Sequence, residues 1–275
     1  MTELTINSTI ELNNGIRMPI LGLGTAALFG KPAYQSAVWA LELGYKMIDT
    51  ASMYGNERNV GKAIQESGIP RDELFITTKV WETDQGYDNT MVALEKSLKK
   101  LKLTYIDLYL IHWPRSNLRN ETWKALEKIL EEGKARAIGV SNYAIRHLEE
   151  LFETSSTLPA VNQVEFTPFL YQKELLNICK KNKIVVEAYS SLTRGQKFEN
   201  SVLKSICQKC NKFPAQILIR WGLQHGIIQI PRSRSQQHIQ ENAEVFDFTL
   251  KDEDMKQLDN LNEDFRLTED PNTIK

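Results

Sequence analysis

A chain of 275 residues, 41% apolar and 25% charged, has the make-up of a globular protein and the length of a single barrel domain spanning residues 1–275. Its formal net charge of −1 supplies no global field to draw nucleic acid or an anionic membrane. Residues 1–10 lack an apolar signal core and no apolar run approaches the roughly 20 residues that cross a bilayer, so a cytoplasmic location is expected.

In chain order, two short apolar stretches, 9–12 and 16–18, flank Asn13, Asn14 and Gly15. An Asn-Gly pair between short strands predicts a tight hairpin, here expected to cover the N-terminal mouth of a barrel. Short β-branched or apolar runs follow at 18–24, 46–50, 74–80, 106–112, 135–141, 161–165, 184–189 and 227–231. Between them, helical periodicity predicts helices over 33–42, 57–66, 89–101, 121–132, 145–152 and 172–181, with two more, 201–211 and 214–224, sharing the seventh gap. The runs are too apolar for exposed edges and suit central parallel strands covered by helices. Eight such repeats at this length favour a closed (β/α)8 barrel over an open doubly wound sheet. Two further helices are expected at 236–246 and 251–261.

Two motifs invite other readings. Gly22, Gly24 and Ala27 fit the G-x-G-x-x-A turn of a dinucleotide-binding fold, but Gly30 and Pro32 interrupt the helix that should run on from it. The glycines are read instead as permitting close backbone approach in a loop over the barrel mouth. Cys207 and Cys210 form a C-x-x-C, but neither a second pair nor a nearby histidine accompanies them. With Cys179 they make an odd, sparse set, read as reduced thiols rather than a disulfide framework or metal site.

In a barrel, residues at the C-terminal strand ends converge on one mouth. Read in order, those positions carry Asp49 with Tyr54 in the following loop, Lys79 with Trp81, His112 with Trp113, Ser141 with Asn142, Gln163 with Glu165, Tyr189 to Leu192, and Pro231 to Ser233. Singly, each has an innocent role as a cap, a half-buried aromatic, a snorkelling lysine or a satisfied core histidine. Together they make a chemistry. Tyr is a poor acid at neutral pH, but a neighbouring ammonium favours its phenolate. Lys79 can supply that charge and Asp49 can keep it ionised, while a neutral His112 can donate to and orient a substrate oxygen. Zinc chemistry would need Cys and His ligands that are lacking, so no metal is expected.

Three spaced stretches resemble the aldo-keto reductase family over nearly the whole chain, and its short, prokaryotic-like branch in particular. They are residues 44–51 with Tyr54, Gly55, Glu57, Val60 and Gly61; residues 137–143; and residues 230–233 with Glu241, Asn242 and Val245 to Phe248. Lys46 stands where the family usually has Arg. The resemblance implies NAD(P)H-dependent, reversible reduction of aldehydes and ketones, with Tyr54 as general acid in a tetrad with Asp49, Lys79 and His112. It implies that Ser141, Asn142 and Gln163 bind the nicotinamide carboxamide, also bordered by Asp49, and that Tyr189 stacks on the ring. Ser190, Leu192 and Arg194 fall beside the pyrophosphate. Arg232, Ser233, Glu241 and Asn242 fall at the adenosine end, with Gly24 and Thr25 over the nicotinamide.

One departure bears on the cofactor. His238 stands where the family commonly has the Arg that grips the 2′-phosphate of NADPH, and a neutral imidazole is a weaker partner for a dianion than a guanidinium. Arg232 and Arg234 remain as a basic patch, so NADPH with relaxed preference and some NADH use is expected. Trp81 and Trp113, joined by Met53, are expected to wall the substrate pocket with Tyr54 and His112. Ala26, where many relatives carry Trp, and a short polar tail after Leu261 suggest an open pocket for small carbonyls. A monomer is expected. The competing readings are a cofactor-binding regulatory subunit of the same fold with little turnover, and a pseudoenzyme with a structural role.

Overall fold

The computed structural model describes residues 4–115 and 118–274. An antiparallel hairpin of β1 (Thr9–Glu11) and β2 (Arg17–Pro19) opens the chain. Eight parallel strands follow in consecutive order: β3 (Leu23–Gly24), β4 (Met47–Asp49), β5 (Phe75–Val80), β6 (Ile106–Ile111), β7 (Ala135–Ser141), β8 (Val161–Glu165), β9 (Val185–Tyr189) and β10 (Ile228–Gln229). The helices between them are α1 (Lys31–Glu42), α2 (Glu57–Glu66), α3 (Tyr87–Leu101), α4 (Arg119–Glu131), α5 (Ile145–Thr154), α6 (Lys173–Lys181), α7 (Ser201–Cys210) and α8 (Pro214–Gln224); α9 (Gln236–Ala243) and α10 (Asp252–Asp259) come after β10.

The sheet closes on itself. Leu21 bridges Gln229 in parallel, and two backbone hydrogen bonds cross the seam, Gly22 N to Gln229 O at 2.9 Å and Gln229 N to Ile20 O at 3.0 Å. Gly24 N reaches Pro231 O at 3.2 Å. A Cβ on Gly24 would lie 2.6 Å from Ile230 O, closer than van der Waals contact permits. The glycine pair therefore serves closure of a barrel. No helix runs on from it; α1 begins only at Lys31, with Pro32 in its first turn and Gly30 at φ 57° before it.

Alternation along the strands sorts side chains into two cores. Met47, Phe75, Leu108, Leu110, Ala137 and Val161 point inward, where Leu12 and Met18 of the hairpin plug the N-terminal mouth. Ile48, Ile76, Tyr109, Ile111, Ile138 and Val140 point outward under the helices. Asn13 and Asn14 fasten the hairpin by donating to Pro159 O and Arg136 O.

Two sequence expectations are corrected. The run expected as one strand over 18–24 is divided: its start pairs in the hairpin as far as Pro19, and the chain enters the barrel only at Leu23. The reason is that the apolar residues of this run serve both the plug and the barrel wall. The helix expected over 236–246 stops at Ala243, because Val245 is buried in the outer core and the chain must turn to place it there. Among the described residues, no helix is long and apolar enough to cross a membrane.

Candidate active site

Asp49, Lys79, His112, Ser141, Gln163 and Tyr189 share the inward parity of Met47, Phe75, Leu108, Ala137, Val161 and Val185 on their strands. All but Gln163, which is in the middle of β8, stand at or beside the C-terminal end of their strands, and so they meet above the apolar plug. Lys79 Nζ lies 2.6 Å from both Asp49 carboxylate oxygens and donates to Thr50 O at 2.9 Å. Both side chains are buried, Lys79 fully. Tyr54, in the turn after β4, brings its hydroxyl to 3.5 Å from Lys79 Nζ. The His112 ring meets Tyr54 edge-on at 5.5 Å and Trp81 at 5.1 Å.

The electrostatics follow from this burial. Desolvation alone would lower the Lys79 pKa, but Asp49 above all outweighs it and holds the ammonium above its ordinary range. Desolvation is also the largest influence on Tyr54 and raises its pKa; Lys79 pulls it down and Asp49 pushes it up. The ammonium's pull expected from the sequence is present, but burial exceeds it. Burial, then the Lys79 charge, pushes His112 well below the usual imidazole range, so it is neutral near pH 7.

Around this cluster a hydrogen-bond net fixes the neighbours. Ser141 Oγ donates to Gln163 O at 2.9 Å, and Asn142, at φ 62°, donates to His112 O at 2.9 Å. Tyr189 Oη donates to Asn142 Oδ1 at 2.7 Å. Gln163 Nε2 donates to Asp49 Oδ2 at 2.9 Å. Thr25 is buried and ties its loop to Asp49 O through both its amide and its hydroxyl. Asn56 reinforces this by accepting from Thr50 Oγ1 and donating to Thr25 O and Leu28 O. The sequence reading passed over Asn56, although an Asn just after the Tyr54-Gly55 turn is a natural loop fastener.

Two adjoining cavities open on the cluster. One, about 330 Å³, is bordered by Gly24, Asp49, Tyr54, Tyr189, Leu192 and Arg232 among others. The second, about 400 Å³, is walled by Phe29, Met53, Trp81, Trp113 and His112, with Ser141, Asn142 and Gln163 at its floor. Tyr54, Tyr189, Ser190 and Arg194 border both. Arg194 and Arg232 border the first cavity, and partial desolvation, then repulsion from Arg234 and Arg194, lowers the Arg232 pKa. Arg234 also donates to Ala27 O at 3.0 Å.

Not every expected site residue borders a cavity. Ser233 accepts from Ser235 N in the turn before α9; His238 is exposed in the first turn of α9; Glu241 and Asn242 lie further along that helix. Thr25, Ser233, Arg234, His238, Glu241 and Asn242 line neither cavity. Cys207 and Cys210 sit on α7, remote from the cluster in sequence and half-buried, and burial pushes the Cys207 thiol up to about 11. Among the described residues, no group of three His, Cys, Asp or Glu side chains could hold a metal ion.

The tail is better held than its composition suggested. Glu165, at the end of β8, accepts from Leu267 N, Thr268 N and Thr268 Oγ1, while Arg115 pairs with Glu269 and Arg146 donates to Ile274 O. Thr268 thereby reaches the second cavity, where it supplies a polar wall.

With this geometry stands a match between residues 20–263 and the sequence pattern described as the Aldo/keto reductase family. The chain belongs to that family. It is 50% identical to the glyoxal reductase of Bacillus subtilis (strain 168), over 98% of each chain. An aldo-keto reductase from a Medee basin deep-sea metagenome library shares the fold with a TM-score of 0.94 at 45% identity, covering 97% of this chain and 99% of that one. A Bombyx mori aldo-keto reductase, solved in complex with NADP, superposes with a TM-score of 0.91 at 35% identity, covering 97% and 96%.

Proposed function

We propose that this chain is an NADPH-dependent reductase of small aldehydes and ketones, with Tyr54 as the general acid. The observation that carries the reading is the half-buried Tyr54, which borders both cavities and is backed by the buried Lys79–Asp49 pair, with neutral His112 beside it. NADP in the related Bombyx mori structure supports the cofactor, and so does the set of three arginines beside the first cavity, suited to a phosphorylated anion. When bound, the nicotinamide supplies hydride to the carbonyl carbon.

The chain's own residues handle the oxygen. His112 donates a hydrogen bond that orients the carbonyl oxygen toward Tyr54. Tyr54 gives its hydroxyl proton to that oxygen as negative charge develops, and Lys79 stabilises the phenolate left behind. Asp49 keeps Lys79 charged. When the cofactor binds, Ser141, Asn142 and Gln163 would hold its carboxamide, Tyr189 would support its ring, and Ser190, Leu192 and Arg194 would hold its pyrophosphate. Arg232, Ser233, Arg234, His238, Glu241 and Asn242 would serve its adenosine end, with Gly24 and Thr25 on the nicotinamide side. Phe29, Met53, Trp81 and Trp113 make an apolar wall for the substrate, which suits methylglyoxal-like and aromatic aldehydes. A monomer is part of the same reading, and three free thiols suit the cytoplasm.

The test is NADPH oxidation with a panel of aldehydes, run beside Tyr54→Phe. Loss of the hydroxyl should lower kcat by about 10²- to 10⁴-fold while NADPH still titrates the protein fluorescence with a similar Kd. Turnover by the variant near the wild-type rate would refute Tyr54 as the acid. A wild-type protein that binds NADPH yet reduces none of the panel would favour the regulatory-subunit reading.

A further inference from the structure

Besides Asp49, the barrel interior holds a buried carboxylate that the mechanism above leaves unused. Glu187 lies on β9 two residues before Tyr189, so it takes the same inward face one layer deeper. It is fully buried. Its register partners are Gln163 on β8 and Ile228 on β10. Gln163 Nε2 donates to Glu187 Oε2 at 2.7 Å as well as to Asp49 Oδ2 at 2.9 Å, so one amide group is shared by two carboxylates. Glu187 Oε1 has no hydrogen-bond partner among the described residues.

The charged and titratable groups facing Glu187 are Asp49 from β4, Lys79 from β5 and Tyr54 from the turn after β4. The flanking strands add no charge at this level: β10 places Ile228 there, β8 places Gln163, and Glu165 of β8 is turned to the tail. Two carboxylates thus share one ammonium among fully or nearly fully buried side chains. Ionising both leaves a net negative charge there, which low polarity penalises heavily.

Accepting Tyr54 as the general acid, we propose that Glu187 is a positioning residue of the reductase site that works as a neutral acid. In that form it leaves Asp49 and Lys79 charge-balanced beside Tyr54. It also commits both Nε2 hydrogens of Gln163 to carboxylates, which leaves the amide oxygen as the acceptor for the cofactor carboxamide. At alkaline pH Glu187 releases its proton to solvent and no other bond changes. The added charge raises the Tyr54 pKa, making Tyr54 a weaker proton donor. Desolvation, then the Asp49 charge, pushes Glu187 up to about 8, against the opposing pulls of Gln163 and Lys79. The switch therefore falls within the working range of an enzyme.

Two measurements test this. In pH-difference infrared spectra of the cofactor-free wild type, a protonated-carboxyl band should vanish as pH rises through about 8, well above the ordinary carboxyl range near ~4.3. Glu187→Gln should lack that band, and Gln163→Leu, which removes an amide that favours the charged form, should move its midpoint upward. In single-turnover reduction, the ratio of the rate at about pH 6.5 to that at about pH 9.5 should be roughly tenfold in wild type and fall to about twofold in Glu187→Gln. Absence of the band from wild type, or an unaltered rate ratio in folded Glu187→Gln, overturns the proposal. If Glu187→Gln does not fold, the wild-type and Gln163→Leu midpoints decide. Reduction that survives Tyr54→Phe removes the general-acid reading instead, and the infrared band still reports on Glu187.

Discussion

Lys79 keeps a positive charge where no solvent reaches it, and Asp49 is the reason it can. With one partner removed, the other is stranded. Lys79→Met should therefore lower unfolding stability by about 3–5 kcal/mol, read from urea denaturation, beyond any loss of activity. Adding Asp49→Leu to that variant should recover part of the loss, because no uncompensated charge remains. A single variant as stable as wild type would show that the stranded Asp49 costs the fold little. This cluster was legible in the sequence because Asp49, Tyr54, Lys79 and His112 stand at successive strand ends, where barrel geometry forces a meeting. Glu187 was not: it stands in mid-strand on β9, behind the strand end that Tyr189 marks. Its parity with Tyr189 was the available signal: two residues earlier on the same strand is the same face, one layer deeper. The pKa balance at Tyr54 was beyond the sequence too, because spacing reveals neighbours but not how completely they are desolvated.

At the scale of elements, the hairpin, eight strands and intervening helices follow from turn chemistry and periodicity, with boundaries shifted where tertiary demands intervene. The run after Met18 is apolar throughout, and nothing in that pattern tells which residues plug the mouth and which join the wall. The tail is the reverse case: polar in composition, yet fastened because Glu165 offers acceptors to two amides and a hydroxyl. The closing seam carries the sharpest constraint. Gly24→Ala places a methyl 2.6 Å from Ile230 O, a backbone atom that can yield only if β3 and the stretch after β10 part. The expected result is a loss of about 1–3 kcal/mol in stability together with weaker cofactor binding, since Gly24 borders the first cavity. Denaturation and fluorescence titration of the one variant read both effects. An alanine variant with wild-type stability would mean that the seam carries little of the barrel's closure.

Over the whole molecule, a net charge of −1 hides an uneven distribution, with Arg194, Arg232 and Arg234 near one another beside the first cavity. A phosphorylated cofactor drawn there binds the folded state alone and so raises thermal stability. At one hundred times its Kd the gain is about 2.7 kcal/mol. With roughly 2–4 °C per kcal/mol for a chain of this size, Tm should rise on the order of 5–10 °C with NADPH. NADH lacks the 2′-phosphate and should shift Tm less at equal concentration. The gap should be modest, because His238 is an exposed imidazole in the first turn of α9 rather than a guanidinium. His238→Arg supplies the missing charge-assisted pair, so it should tighten NADPH by about tenfold, near ~1.4 kcal/mol, and leave NADH almost unaffected. The preference would then widen in kcat/KM and in Tm together. A wild-type protein stabilised more by NADH than by NADPH would overturn the cofactor assignment and leave the three guanidiniums needing another anion.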